Sequence, residues 1–189
     1  ATVVGGSGSD TINVSGFQVS VTGGSGPDTM TATGSSETIT GGSGADVINV
    51  TGVNDVVNGG SGPDTIIANG LNEPIKGGAG ADTITASGTG EVINSGGGAD
   101  LITIYGTPDT LNGGLGPETV AVYGSSDVIN AGSNSDSISV FGNLDTVNTG
   151  TGDDTINISG TNDTIVAGAQ GSNTTAQINL SGSNTTITD

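Results

Sequence analysis

The chain has 189 residues, 37 of them glycine, with two percent aromatic residues and no tryptophan, histidine or cysteine. That composition cannot build an ordinary layered core, and it removes imidazole and thiol catalysis, zinc sites and disulfides together. A net charge of −18, with Lys76 as the single basic residue, removes nucleic acid and anionic membrane surfaces as partners, since both are bound through lysine and arginine.

Residues 1–4 read as the tail of a truncated coil, with further coils expected upstream. From Gly5 onward one phrase returns every 18 residues, at Gly5, Gly23, Gly41, Gly59, Gly77, Ser95, Gly113, Ala131 and Thr149. In the third unit it runs Gly41, Gly42, Ser43, Gly44, Ala45, Asp46, Val47, Ile48, Asn49. A phrase at fixed period is the mark of a stacked array. Residues 5–166 hold nine such repeats, and 167–189 read as an atypical capping coil in which Ala167 to Ala176 replaces the glycine turn. Register returns at Ile178, Leu180, Gly182 and Ile187. The whole chain reads as one solenoid domain. No apolar run reaches the length of a membrane span, so no membrane insertion is expected.

Numbering each unit from its first residue exposes columns. Position 8 is aliphatic throughout (Ile12, Met30, Ile48, Ile66 and onward), position 10 likewise (Val14, Ala32, Val50), and position 17 also (Val21, Ile39, Val57). Positions 8 and 10 keep the two-residue period of a strand, and no helical period occurs. The fold expected is all-β: a right-handed parallel β-solenoid, or β-roll, of nine to ten 18-residue coils. Equivalent strands should stack about 4.8 Å apart.

The acidic residues are columnar too. Position 6 holds Asp10, Asp28, Asp46, Asp64, Asp82, Asp100, Glu118, Asp136 and Asp154. Position 15 holds Val19 and then Glu37, Asp55, Glu73, Glu91, Asp109, Asp127, Asp145 and Asp163. Nine acids in one column and eight in the other account for 17 of the 19 in the chain. Like charges roughly 5 Å apart repel by about a kcal/mol or more even near water. Such a column needs counter-charge, and one lysine cannot supply it. Protonation or bound cations can. Glycines at positions 1, 2 and 4 permit positive φ and would aim carbonyl oxygens inward. Carboxylate and carbonyl oxygens, with no nitrogen or sulfur ligand, suit Ca2+ better than Mg2+. The position-6 acids are therefore the candidate charged ligands. The candidate carbonyls belong to Gly5, Gly23, Gly24, Gly26, Gly41, Gly42, Gly44, Gly59, Gly60, Gly62, Gly77, Gly78, Gly80, Gly96, Gly98, Gly113, Gly114 and Gly116.

The phrase Gly-Gly-x-Gly-x-Asp-x-aliphatic-x resembles the calcium-binding nonapeptide of the repeats-in-toxin (RTX) family, over residues 5 to about 158. That resemblance implies multiple calcium ions between stacked turns. It also implies a secreted or cell-surface bacterial protein exported by the type I route, and a chain that is part of something larger. The second half of each unit, as in Val50 to Asn58, has the acid and the position-12 glycine but not the paired glycines. Asp55, Asp109, Asp127, Asp145 and Asp163 are then either a weaker second calcium column or Asx-type turns that accept backbone N–H groups. Glu118 is one methylene too long for its column, and Ser95, Ala131 and Thr149 replace the first glycine.

The function expected is a non-catalytic calcium-binding module, unfolded without the ion and folded with it outside the cell. The rival readings are an ice-binding or adhesive surface and an accessory module of a secreted enzyme. Repeated carboxylates are the wrong source for one distinct acid–base pair. Tyr105, Tyr123 and Phe141, all at position 11, should form a small aromatic ladder, with a sugar-stacking patch as its functional alternative.

Overall fold

The computed structural model describes residues 1–168 and 176–188. Among them there is no helix. Each coil contributes two strands, such as Val47–Val53 and Val56–Ser61. The strands form two all-parallel sheets, of 11 and 10 strands among the described residues, and every neighbour in a sheet comes from the adjacent coil. Ile48 stands beside Ile66 and Thr83 beside Leu101, so the register is the 18-residue period itself. The last coil sits 22 residues on, with Ile156 beside Ile178, Ile158 beside Leu180 and Ile165 beside Ile187. Its register thus returns at the expected residues. Most of the expected replacement segment, residues 169–175, and the final residue, 189, lie outside the described residues.

Positions 8, 10 and 17 face inward, as their columns require. Ile48, Val50, Ile66, Ile75, Ile102 and Ile129 are fully buried between the two sheets. Threonine, serine and asparagine take the alternate, outward places. On one outer face Asn94, Asn112, Asn130 and Asn148 pass amide hydrogen bonds along the rod at 3.0, 3.0 and 2.7 Å. The aromatic ladder forms as well. Tyr105 stacks on Tyr123 at 5.1 Å and Tyr123 on Phe141 at 4.8 Å, with ring planes 10° and 8° apart, so the rings keep the coil spacing. No helix among the described residues is long and apolar enough to cross a membrane.

The glycine pair that opens each unit belongs to a strand rather than a turn. Thr38–Ser43 runs through Gly41 and Gly42 before the chain turns toward Asp46. Position 14, which no motif singles out, adopts left-handed backbone at Gln18, Ser36, Asn54, Asn72, Ser126, Leu144 and Asn162. Asparagine tolerates that region because its side chain bonds locally, and leucine does not. Leu144 sits at φ 63° and is 60% exposed, so it holds the strained conformation without a compensating burial. Leu144→Asn is expected to stabilise the calcium-loaded rod by about 1 kcal/mol, read as a higher thermal midpoint. An unchanged or lower midpoint would contradict this account of the turn.

Candidate metal centre

Both acidic columns point into the rod. Asp28, Asp46, Asp64, Asp82 and Asp100 are 1–2% exposed, and Glu37, Asp55, Glu73, Asp109 and Asp127 are 0–2% exposed. Asp10, in the first coil, is half-buried. In both columns one carboxylate oxygen has a fixed task. The backbone N–H of one acid donates to Oδ1 of the acid one coil later: Asp46 to Asp64 at 2.9 Å and Asp64 to Asp82 at 2.8 Å in the first column. Glu37 to Asp55 at 2.7 Å and Asp109 to Asp127 at 2.8 Å do the same in the second. The second column therefore does accept backbone N–H groups, across coils along the aspartates and, at Glu91 Oε1, from Thr89 of its own turn at 2.9 Å.

The other oxygen has none. Oδ2 of Asp28, Asp46, Asp64, Asp82, Asp100, Asp136 and Asp154 is buried without a hydrogen-bond partner, and so is Oδ2 of Asp55, Asp109, Asp127, Asp145 and Asp163. A row of buried, unpaired carboxylate oxygens is costly unless a cation or protons complete it.

The glycines explain where such a cation fits. Positive φ occurs at positions 2 and 4, as at Gly42 (121°) and Gly44 (130°), but not at Gly23, Gly41, Gly59 or Gly77. The first glycine is thus required for space, not for φ, which corrects the expectation from sequence. A Cβ on Gly59 would lie 2.5 Å from both Asp64 Oδ2 and the Gly77 carbonyl oxygen. On Gly77 it would lie 2.6 Å from Asp82 Oδ2 and 2.5 Å from the Ser95 carbonyl oxygen, and on Gly5 2.6 Å from Asp10 Oδ2 and from the Gly23 carbonyl oxygen. There the carboxylate Oδ2 and a carbonyl oxygen of the next coil converge over the glycine and leave no room for a side chain, and converging carboxylate and carbonyl oxygens are the hard ligands that calcium takes. The carbonyls of Gly23, Gly41, Gly59 and Gly77 face these points. Those of Gly24, Gly26, Gly42, Gly44, Gly60, Gly62, Gly78, Gly80, Gly96, Gly98 and Gly114 lie instead against the glycine at the same position in the neighbouring coil. Gly116 packs on the Gly98 carbonyl, and Gly113 on Glu118 and the Ala131 carbonyl.

No point among the described residues gathers three acidic side chains. A bound calcium would therefore draw on carbonyls for much of its shell of six to eight oxygen ligands. When bound, calcium supplies the positive charge that a polyanionic interior lacks.

Without a cation the carboxyls resist ionisation. Burial, followed by the neighbouring carboxylates, lifts Asp64 to about 6 and Asp127 to about 7, and burial with Asp55 lifts Glu73 to about 7. Burial and the adjoining Asp136 push Glu118 up to about 9. Asp46, Asp55, Asp82 and Asp154 are also raised, burial being the largest cause in each.

Glutamate does not replace aspartate in this ladder. No bond joins the Asp100 N–H to Glu118, and both Glu118 oxygens are buried without partners. Shortening the side chain should return the carboxylate to the column. Glu118→Asp is expected to add about 1 kcal/mol to the calcium-loaded fold, the net worth of one hydrogen bond, measured by thermal unfolding. A loss of stability would refute the length argument.

The RTX calcium-binding nonapeptide repeat, as a family pattern, matches residues 2–18, 20–48, 50–70, 67–102, 105–138, 123–156 and 141–171. No curated protein sequence matches the chain closely enough to count as a relative. The matched segments cover most of the chain, and the repeats of this family bind Ca2+, several ions along the array. With its 18-residue coils, its two parallel sheets and its columns of inward carboxylates, the chain belongs to the RTX calcium-binding nonapeptide repeat family.

Proposed function

We propose that this β-roll is a calcium-triggered rod, the structural and non-catalytic part of a secreted or cell-surface protein, which folds in the calcium-rich space outside the cell. The carrying observation is the column of position-6 acids, buried from Asp28 onward, each with at least one carboxylate oxygen that finds no hydrogen-bond partner among the described residues. Asp10, Asp28, Asp46, Asp64 and Asp82 hold the ions, with the carbonyls of the first residue in the following coil, Gly23, Gly41, Gly59, Gly77 and Ser95. Where calcium is scarce the carboxylates repel, and the chain stays extended and competent for export. Where it is abundant each ion joins two coils, and binding and folding become one event. The acids serve as repeated ligands, and no pair of them stands apart in a distinct acid–base geometry.

A calcium titration followed by far-UV circular dichroism tests this. A cooperative coil-to-β transition is expected, with a midpoint of about 10⁻⁴–10⁻³ M, the range of extracellular calcium modules. A β spectrum indifferent to calcium, or one restored equally by magnesium, would sink the reading.

A further inference from the structure

The aromatic ladder stops partway along its corner of the rod, and a cavity begins where it stops. Tyr105, Tyr123 and Phe141 stack at 5.1 and 4.8 Å with nearly parallel planes, so each ring turns a face toward the next coil. The next two rungs of that column are Ser159 and Ser181. Neither serine reaches out to cover the last ring. Ser159 Oγ donates to the Val140 carbonyl and Ser181 Oγ to the Ile158 carbonyl, both at 3.3 Å, so each hydroxyl is turned back onto the strand of the preceding coil. Phe141 is left 50% exposed. A cavity of about 260 Å³ lies there, with Phe141 on one side and Asn157, Ser159, Asn179, Leu180 and Ser181 around it.

Its lining is amphipathic. Phe141 and Leu180 supply apolar surface. Asn179 Nδ2 donates to Asn157 Oδ1 at 2.9 Å, which leaves the Asn157 amide N–H groups as donors and Asn179 Oδ1 as an acceptor for a ligand. No charged side chain among the described residues lines the cavity, although the chain carries a net charge of −18. A neutral ligand with one flat apolar face and hydroxyls at its edge suits these walls. A pyranose has both. The C–H bonds on one face of the sugar ring are slightly positive and meet the negative face of an aromatic ring, while its hydroxyls donate and accept. The volume falls just under the range of about 300–1,000 Å³ that takes drug-sized ligands, so the cavity holds a single ring.

We propose that this slot binds one neutral pyranose, which stacks on Phe141 as the next rung of the ladder and hydrogen-bonds to Asn157 and Asn179. The site requires only that the rod be folded, so its failure would leave the calcium trigger untouched.

The test is saturation-transfer NMR on the calcium-loaded protein, with its β structure confirmed by circular dichroism. The probes are the methyl glycosides of glucose, galactose, mannose and N-acetylglucosamine, with p-cresol standing for an aromatic side chain. At least one sugar is expected to bind with a dissociation constant of about 1 mM, the scale of a single-ring ligand. Phe141→Ala should weaken binding about tenfold, and Phe141→Tyr should keep it. Ser159→Tyr, which builds a ring of the protein into the slot, should abolish binding while the β spectrum is kept. Tyr105→Ala, at the far end of the ladder and outside the cavity, should leave binding unchanged. No binding by any of the four sugars at about 10 mM overturns the site, as does binding that survives Ser159→Tyr. Binding of p-cresol alone would overturn it in favour of an aromatic side chain from a protein partner.

Discussion

Removing calcium with EDTA at neutral pH is expected to convert the far-UV spectrum from β to coil, and adding excess calcium to restore it. The size of the effect follows from burial. Acids such as Glu37, Asp46, Asp55, Glu73 and Asp82 are at most 1% exposed, and the sole basic side chain, Lys76, is exposed on an outer face. Taking one carboxylate out of water costs several kcal/mol after relaxation, and an entire domain is stable by only about 5–15 kcal/mol. The columns therefore cannot remain ionised inside a folded rod without cations. The aliphatic rows do not change this balance, because each coil buries only about three such side chains. A persistent β spectrum in EDTA at pH 7 would show that the carboxylates are neutralised by other means.

Acidification should fold the metal-free chain. The ordinary carboxyl values are 3.8 for aspartate and 4.5 for glutamate, and burial raises Asp64 and Asp145 to about 6, Asp127 to about 7 and Glu91 to about 8 in the folded state. A group whose folded pKa is raised contributes stability below its unfolded pKa and loses it as pH climbs through the folded value. In EDTA, β structure should therefore be greatest near pH 4 and decline progressively up to about pH 9, the value reached by Glu118. In saturating calcium the dependence reverses at the acid end, because the metal binds deprotonated carboxylates and protons compete with it. An EDTA-treated chain that is equally disordered at pH 4 and pH 8 would refute this linkage.

The architecture was legible because each of its rules is local and repeated. The alternation at positions 8 and 10 assigned a strand and its inward face, and the 18-residue period assigned the register, including the return at Ile178 and Ile187. The cradles were less legible. The role of Gly59 depends on Asp64 of its own coil and on a carbonyl of the next, and no sequence window reports on that approach. Glycine at position 1 looked like a turn residue because glycine usually signals φ, whereas here it stands in a strand and leaves room for a carboxylate. The same reading of glycine hid a likeness in backbone approach between the two halves of each unit. Gly52 and Asp55 build the same approach that Gly59 and Asp64 do, from a phrase with one glycine instead of three. Position 14 was missed for a different reason: its left-handed turn tolerates glutamine, serine, asparagine and leucine, so no residue type marks it.

The placement of the acids also decides what the molecule presents to its surroundings. Of its 19 acidic residues only Asp153 and Asp189 stand outside the two columns, so the outer skin is nearly free of acids and mixes threonine, serine, asparagine and glycine with exposed aliphatic and aromatic side chains such as Val56, Leu101 and Tyr105. Bound calcium is expected to offset much of the net charge of −18, so the electrophoretic mobility should fall more than the gain in compactness alone would produce. Long-range repulsion between copies weakens at the same moment. A chain that keeps its neighbours at a distance while extended can approach them closely once folded, and the same ion governs both its shape and the spacing it keeps.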